Sequence, residues 1–569
     1  MGLIDDAILS AIVLTVILTI LVAQPWLKGA AAGRRSGKRQ LELFLMRIGS
    51  SSVTSPDTGL VNSLMNPAAF KHAVSSVELI ETHISWVILT DEFVYKIKKP
   101  IVLAFLDFRD LERRKFYCEE EIRLNQPWAP DIYLDVVPIT LDDGQPRFIG
   151  GGTPIEYAVR MRRFDQTSRL DVQLERGQLS VTDMKELGRN IAERHTAAPI
   201  VDASQRGRVV RLTKEFIWDN FSALDGAIDE ADLNSLREWT ERELQGLESF
   251  LGQRFDEGYV RDCHGDLHLA NLVRLPDGIT TFDCIEFNSD LRHIDVACDI
   301  AFLVMDLVEK RRHDLAAYFL NRYLESTGDY GSMKLLSLYF VYRCLVRAKV
   351  AVILSKERET NDAIEADLAE AHRYCAMAKR QAAIRTSYLV IMSGLSGSGK
   401  TRVSGQLMAA MPAIRIRSDL ERKRMFGLEE TDDSASDLES GIYTSKASRL
   451  VYQRLYEFAR MILEAGHSVI LDAAFLKFAD REMAISVATD FGLPCILLQV
   501  TAPTEVLRER IRQRSIRRND ASEAGLEVLE HQLATAEPLT HKEETIAISL
   551  ENNGKIDINA LAAQVLRRA

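Results

Sequence analysis

Two short stretches of the chain carry side chains in the order and spacing that phosphate chemistry needs. The first is His264-Gly265-Asp266-Leu267-His268-Leu269-Ala270-Asn271, with Asp283 following twelve residues later. Five residues separate the Asp266 carboxylate from the Asn271 amide, so one loop can place them on either side of a single transferred phosphate. The second is Gly394-Leu395-Ser396-Gly397-Ser398-Gly399-Lys400-Thr401. Its glycines let backbone N–H groups curl around the phosphates of ATP or GTP without Cβ obstruction. Lys400 adds a point charge, the Thr401 hydroxyl a ligand for Mg²⁺, and the following helix an electropositive end. Two complete signatures argue for a fused pair of ATP-using domains.

Further residues extend the second signature. Arg417-Ser418-Asp419-Leu420-Glu421-Arg422 follows the next expected strand. There Asp419 faces the phosphate loop, placed to accept a proton from an attacking hydroxyl; the alternative makes it a helix N-cap. Arg422, one turn on, is placed to hold the acceptor or phosphate. Val469-Ile470-Leu471-Asp472 is an apolar strand ending in a carboxylate suited to ordering Mg²⁺ or its water. Arg508, Arg510, Arg512, Arg514, Arg517 and Arg518 crowd one segment. They form either a solvated helix face or, as the glycine loop favours, a lid in which Arg514 and Arg518 neutralise charge on the moving phosphoryl group.

The elements that position these residues fall into two unlike patterns. Ile84–Leu89 and Phe93–Lys98 flank Thr90-Asp91-Glu92 and read as a β-hairpin. A helix is expected over Leu111–Leu124, strands over 132–139 and 157–161, and helices over most of 181–255. Strands bracket Asp266, and helices run from 294 to 383, an α+β two-lobed pattern. Past residue 386 the strands 388–392, 413–416, 468–471 and 495–500 alternate with helices, as in a parallel α/β sheet. The expected divisions are 1–58, a hydrophobic segment and polar linker, then 59–385 and 386–569.

A chain of 569 residues with 46% apolar and 27% charged content needs three or four packing units of ordinary globular kind. The net charge of −11 argues against a general nucleic-acid binder. Seven cysteines without a C-x-x-C pair suggest reduced thiols and a cytoplasmic location. Residues 7–23 are almost unbroken apolar, about the short limit for crossing a bilayer. Asp5 and Asp6 precede them and Lys28, Arg34, Arg35, Lys38 and Arg39 follow, which would keep the remainder on the cytoplasmic side. Either this is a membrane tether or translation truly begins at Met46 or Met65.

The second signature and its companions resemble P-loop small-molecule and polynucleotide kinases, including the zeta-toxin and gluconate-kinase-like groups; the resemblance implies that Asp419 is the general base. H-G-D-x-x-x-x-N resembles the catalytic loop of aminoglycoside phosphotransferases and, more distantly, of protein kinases. That resemblance implies Asp266 as catalytic base, Asn271 and Asp283 as Mg²⁺ ligands, and Asp299 as a buttress of the loop. It also implies an ATP-anchoring lysine on the third strand of the small lobe, Lys96 in preference to Lys98 on the same face. The partner carboxylate comes from Glu119-Glu120-Glu121, with Glu121 preferred. Residues 157–164 would contact adenine. No glycine-rich G-x-G-x-x-G loop precedes the hairpin, a departure from the pattern. His264, His268 and His293 are expected to be structural.

Residues 60–569 together resemble a bacterial family described as bifunctional aminoglycoside phosphotransferase-like and ATP-binding proteins. The implied fold is an α+β protein-kinase-like two-lobed domain followed by an α/β P-loop kinase domain with a parallel sheet. The implied activity is a tandem phosphotransferase using ATP and Mg²⁺, each domain phosphorylating a hydroxyl of a small-molecule acceptor. Two alternatives are a regulatory ATP-binding or protein-kinase-like sensor and a nucleic-acid 5′-hydroxyl kinase, the latter disfavoured by the acidic charge.

Overall fold

A computed structural model of the chain describes residues 57–82, 84–103, 106–383, 386–430, 432, 434, 441–517 and 524–569. The apolar run 7–23 and Arg518 lie outside the described residues. Among the described residues no helix is long and apolar enough to cross a membrane. Two compact units emerge. The first takes in the described residues up to Leu179 with Ala198–Asp306 and Leu338–Gln381; the second takes in Ser180–Ala197, Leu307–Ser337 and the described residues from Ala382 on.

The first unit begins with α1 (Asp57–Leu64) and an antiparallel sheet. Its strands are β1 (Glu78–Glu81), β2 (Ser85–Leu89), β3 (Phe93–Lys98), β6 (Tyr133–Asp142), β7 (Gln145–Phe148) and β8 (Pro154–Arg162), in the order β1-β2-β3-β8-β6-β7. A small ribbon, β4 (Val102–Leu103) with β5 (Leu106–Asp107), precedes α2 (Leu111–Asn125). The expected hairpin forms with Ser85 opposite Lys98 and Leu89 opposite Val94. Alternation along β3 sorts its side chains. Tyr95 and Ile97 enter an apolar cluster with Val61, Leu64, Trp86, Ile88 and Phe148. Lys96 and Lys98, on the opposite face, reach Glu121 of α2.

After α3 (Leu170–Glu175) the chain enters the second unit as α4 (Val181–Ala197), then returns through α5 (Arg206–Leu224) and α6 (Glu230–Asp256). Strand β9 (Val260–Asp262) leads into the His264–Asn271 loop. The hairpin of β10 (Leu272–Leu275) and β11 (Gly278–Thr281) leads out to Asp283. Strand β12 (His293–Asp295) pairs back on β9 and feeds α7 (Val296–Glu309). Helix α8 (His313–Thr327) belongs to the second unit; α9 (Met333–Glu357) and α10 (Asn361–Ala382) follow.

The second unit is built on a parallel sheet of β13 (Leu389–Ser393), β14 (Ile414–Arg417), β15 (Val469–Asp472), β16 (Cys495–Thr501) and β17 (Ala547–Glu551), in the order β14-β15-β13-β16-β17. Every residue of β13, β14 and β15 is buried, as strands covered on both faces require. Its helices are α11 (Lys400–Ala410), α12 (Ser418–Met425), α13 (Ser445–Glu464), α14 (Phe478–Asp490), α15 (Thr504–Arg517), α16 (Leu526–Thr535), α17 (His541–Ile546) and α18 (Ile558–Leu566). Val403, Leu407 and Met408 of α11 and Leu561 and Val565 of α18 close one apolar core over Val390, Met392 and Ile470. Helix α4 lies close against α8 because Gly188 has no side chain: a Cβ there would sit 2.8 Å from the Phe319 carbonyl oxygen.

Strands β1, β4, β5, β7 and β17 lie outside the strands expected from the sequence. The first is mostly exposed along Glu78-Leu79-Ile80-Glu81, so it lacks the apolar alternation that marks a half-buried strand.

Candidate active sites

In the first unit a lysine from β3, a glutamate from α2 and the aspartate beyond β11 converge. Lys96 Nζ lies 2.8 Å from Glu121 Oε1 and 3.1 Å from Asp283 Oδ1. Burial works against its charge, but Asp283 and Glu121 outweigh that and hold the ammonium well above its ordinary pKa. Lys98 is also engaged, 2.8 Å from Glu121 Oε2 and 2.5 Å from Glu286 Oε1, and is fully buried. Glu121 therefore gives one oxygen to each lysine, while Glu119 and Glu120 are not part of this cluster. Asp283 has φ +61°, a left-handed conformation that Asp tolerates better than most residues. Its N–H donates to the Tyr133 hydroxyl at 3.1 Å, and the next N–H donates to Asn125 Oδ1 at 2.7 Å.

The His264–Asn271 loop is held from beneath. Asp299 accepts the N–H groups of His264 and Gly265 at 3.1 and 3.0 Å, the buttressing role implied by the resemblance. His264 is buried and its pKa depressed by that burial; its Nε2 meets the Phe282 carbonyl at 3.0 Å and its Nδ1 faces the Asp266 N–H at 3.3 Å. Asn271 Nδ2 donates to Asp266 Oδ2 at 2.9 Å. Its Oδ1 is buried without a hydrogen-bond partner among the described residues, which leaves an oxygen for a cation. Together with the Asp283 carboxylate this is a hard-oxygen set that fits Mg²⁺. Asp266 is fully buried. Burial would raise its pKa, but His268, whose Nε2 is 3.3 Å from Oδ2, and then His264 and Arg343 bring it down to about 2. No glycine stands between β1 and β2, and the Thr82 N–H donates to the Ser85 carbonyl at 2.9 Å.

In the second unit the glycine loop leaves β13 and enters α11. Gly394 has φ +148°, and a Cβ there would lie 2.2 Å from the Val500 carbonyl oxygen, so only glycine fits. Lys400 Nζ donates to the carbonyls of Gly394 and Leu395 at 2.7 and 2.9 Å. Burial lowers its pKa to about 8; Asp472 and Asp419 oppose that and Arg514 reinforces it, so all three side chains act on the Lys400 charge. Ser404 Oγ donates to Asp472 Oδ2 at 2.8 Å, and Thr401 Oγ1 is 3.5 Å from Oδ1. Thr401, Asp472 and nearby Ser404 offer only oxygen ligands, again suited to Mg²⁺. The Ser398 hydroxyl is buried without a partner among the described residues.

Asp419 occupies the first turn of α12 and is partly exposed, whereas the N-cap position belongs to Arg417. Arg422 is buried, donating from Nη1 to the Ile442 carbonyl at 2.8 Å and stacking on Tyr443, while its Nε has no partner among the described residues. Arg514 donates to the Ala524 carbonyl at 2.6 Å.

Several further side chains contribute to the two sites. His268 touches Asp266, and the Lys98–Glu286 pair sits behind Lys96. Arg510 Nη1 approaches the carbonyls of Gly397 and Ser398 at 3.3 and 3.4 Å, Asn552 Nδ2 donates to Ser398 O at 2.7 Å, and Gln532 accepts the Ser396 N–H at 2.8 Å. Arg510 was visible within its arginine run; Asn552 and Gln532 reach the loop from beyond residue 520 with nothing in sequence to point to them.

Comparison with known proteins gives two separate matches along the chain. Residues 158–336 match the family described as phosphotransferase enzyme family, and residues 389–539 match a family described as AAA domain. An uncharacterized protein of Mycobacterium tuberculosis (strain H37Rv) is 29% identical over 451 residues, covering 78% of this chain and 88% of that protein. An uncharacterized protein of Mycobacterium bovis matches with the same figures. Among solved structures, a GDP complex of an aminoglycoside 2′-phosphotransferase aligns at 16% identity and a TM-score of 0.35, over 57% of this chain and all of that one. A gluconokinase from Sinorhizobium meliloti aligns at 21% identity and a TM-score of 0.23, over 32% of this chain and 93% of that one. Residues 158–336 thus match a phosphotransferase-family model and residues 389–539 an AAA-domain model, and each match spans one of the two phosphate-binding signatures.

Proposed function

We propose that the protein is a tandem ATP-dependent phosphotransferase, each domain transferring the γ-phosphoryl group of ATP to a hydroxyl of a small-molecule acceptor. The observation that carries this reading is the junction of Lys96 with both Glu121 and Asp283, beside a loop that ties Asn271 to Asp266. In the first domain Lys96 would orient the phosphates, Asn271 and Asp283 would hold Mg²⁺, and Asp266 would orient the acceptor hydroxyl and take its proton. Magnesium supplies charge neutralisation on the phosphates when bound. Kept ionised by His268, His264 and Arg343, Asp266 would accept the hydroxyl proton late, as the attacking oxygen bonds to phosphorus and becomes acidic. In the second domain the glycine loop and Lys400 would cradle the phosphates, Thr401 and Asp472 would hold Mg²⁺, and the partly exposed Asp419 would take the proton. Arg514 and, outside the described residues, Arg518 would bear on the transferring group.

Full burial of Asp266 and the absence of a glycine-rich sequence before the hairpin favour a second reading for the first domain alone: a nucleotide-sensing unit without turnover. The two are separated by measuring ATP consumption of the full chain carrying Asp266→Ala, Asp419→Ala or both, against a panel of small alcohols. Loss of part of the activity with each single substitution fits two enzymes. Activity indifferent to Asp266→Ala fits a sensor in the first domain, and activity indifferent to both substitutions rejects the proposal.

A further inference from the structure

The second unit contains, apart from its nucleotide loop, a cavity of about 240 Å³. Lys185 and Arg189 of α4, Arg322 of α8 and Arg415 and Arg417 of β14 line it. Glu186, Glu325 and Glu430 share its walls, leaving five cations against three carboxylates. Two of those carboxylates are already engaged, and Arg189 also meets Glu193 of its own helix at 3.7 Å. Glu325 accepts Arg415 through Nε at 2.9 Å and Nη2 at 2.5 Å. Glu430 takes Arg322 at 2.7 Å and Arg417 at 3.4 Å. Lys185 stands over the Tyr318 ring, 5.1 Å from its centre, and forms no ion pair among the described residues. Partial enclosure at the cavity mouth, then the guanidinium of Arg415 and those of Arg322 and Arg417, push its pKa down, with Glu325 acting the other way. Such a surplus of cations around a space too small for a drug-sized ligand suits a compact polyanion.

We propose that this cavity binds a phosphate dianion, either free or carried on a small metabolite, as a site separate from both nucleotide sites. Arg415 gives it a route to the chemistry. Its Nη1 also donates to the Thr401 carbonyl at 3.1 Å and approaches Ser404 Oγ at 3.4 Å, and Ser404 in turn holds Asp472 at 2.8 Å. A dianion that draws Arg415 toward the cavity alters the support of Thr401 and Asp472. That regulatory consequence rests on the reading of those two residues as magnesium ligands; binding itself does not.

The test titrates inorganic phosphate, and in a second arm ribose 5-phosphate, into the full chain saturated with Mg²⁺ and a non-hydrolysable ATP analogue. One equivalent of calorimetric binding is expected, weakened at least tenfold by Lys185→Glu and by Arg189→Glu, and kept by Lys185→Arg. Both altered side chains sit on the exposed rim, and an unchanged melting temperature verifies folding. Tighter binding of ribose 5-phosphate identifies a metabolite, and equal binding identifies phosphate itself. No binding under these conditions overturns the site. Binding that survives both charge reversals but vanishes in Lys400→Ala also overturns it, because the anion is then in the glycine loop. A site that binds while kinase activity is absent leaves this inference standing and rejects the function proposed above.

Discussion

Asp266 and Asp419, the two candidate bases, sit in opposite surroundings. The first is sealed among His268, Asn271 and His264; the second has no hydrogen bond or ion pair among the described residues and lies where an acceptor can reach it. Lysines differ in the same way. Lys98 is buried between Glu121 and Glu286, so Lys98→Met leaves the buried Glu286 without this cation, while Glu121 keeps Lys96. Breaking a buried pair from one side costs about 3–5 kcal/mol. Chemical denaturation should show a loss of that order, whereas Lys96→Met should chiefly abolish nucleotide binding at the first site. Lys400 makes a prediction in pH. Its folded pKa of about 8 lies below the ordinary lysine value, so it is charged below pH 8 and loses its proton above. Phosphate binding favours the charged form, so nucleotide affinity at the second site should fall roughly tenfold per pH unit above 8. Titrations of an ATP analogue across pH 7 to 10 check this, and Lys400→Arg should flatten the curve, since arginine stays charged throughout. At this scale the sequence was most legible where a motif is contiguous. Lys96 against Lys98 was separable only in space, because both share one strand face and one glutamate. His268 stands inside the first motif and reads as structural; its approach to Asp266 at 3.3 Å appears only in space.

Elements carry these residues by simple periodicities. Strand alternation on β3 is what sends Tyr95 and Ile97 inward and both lysines to α2, and it made the hairpin readable in advance. The apolar runs of β13 and β15 likewise announced a covered parallel sheet, while β1 and β17, marginal strands with exposed residues, stayed hidden. The α4–α8 contact was also invisible, because a lone glycine within a helical pattern looks like a weak point rather than a point of close approach. Gly188→Val should show which it is. A side chain there meets the Phe319 carbonyl and the Arg322 Cβ, and overpacking of this kind costs about 1–3 kcal/mol. A lowered thermal midpoint for the second unit is expected, with the α-helical content of the full chain retained by circular dichroism before melting.

For the whole molecule the expectation is two nucleotide equivalents per chain. Calorimetric titration with a non-hydrolysable ATP analogue and Mg²⁺ should give two, and Lys400→Ala and Lys96→Ala should each remove one. Fold class at this scale was readable from the order of strands and helices. What the order could not reveal is that residues 180–197 and 307–337, long before the glycine loop, pack with the sheet that carries it. Linear sequence shows adjacency along the chain, and these helices are adjacent only in space.

That interleaving constrains how the chain is born and how it could ever be divided. Helix α8 supplies Asn321 and Glu325 to Arg415, yet it leaves the ribosome nearly a hundred residues before that arginine. It must wait, its docking face uncovered, until the later strands are synthesised. A gene split at residue 386 would strand this helix on the wrong fragment and deprive β14 of its partners. The downstream piece would then be expected to precipitate or to need the upstream piece in trans for solubility.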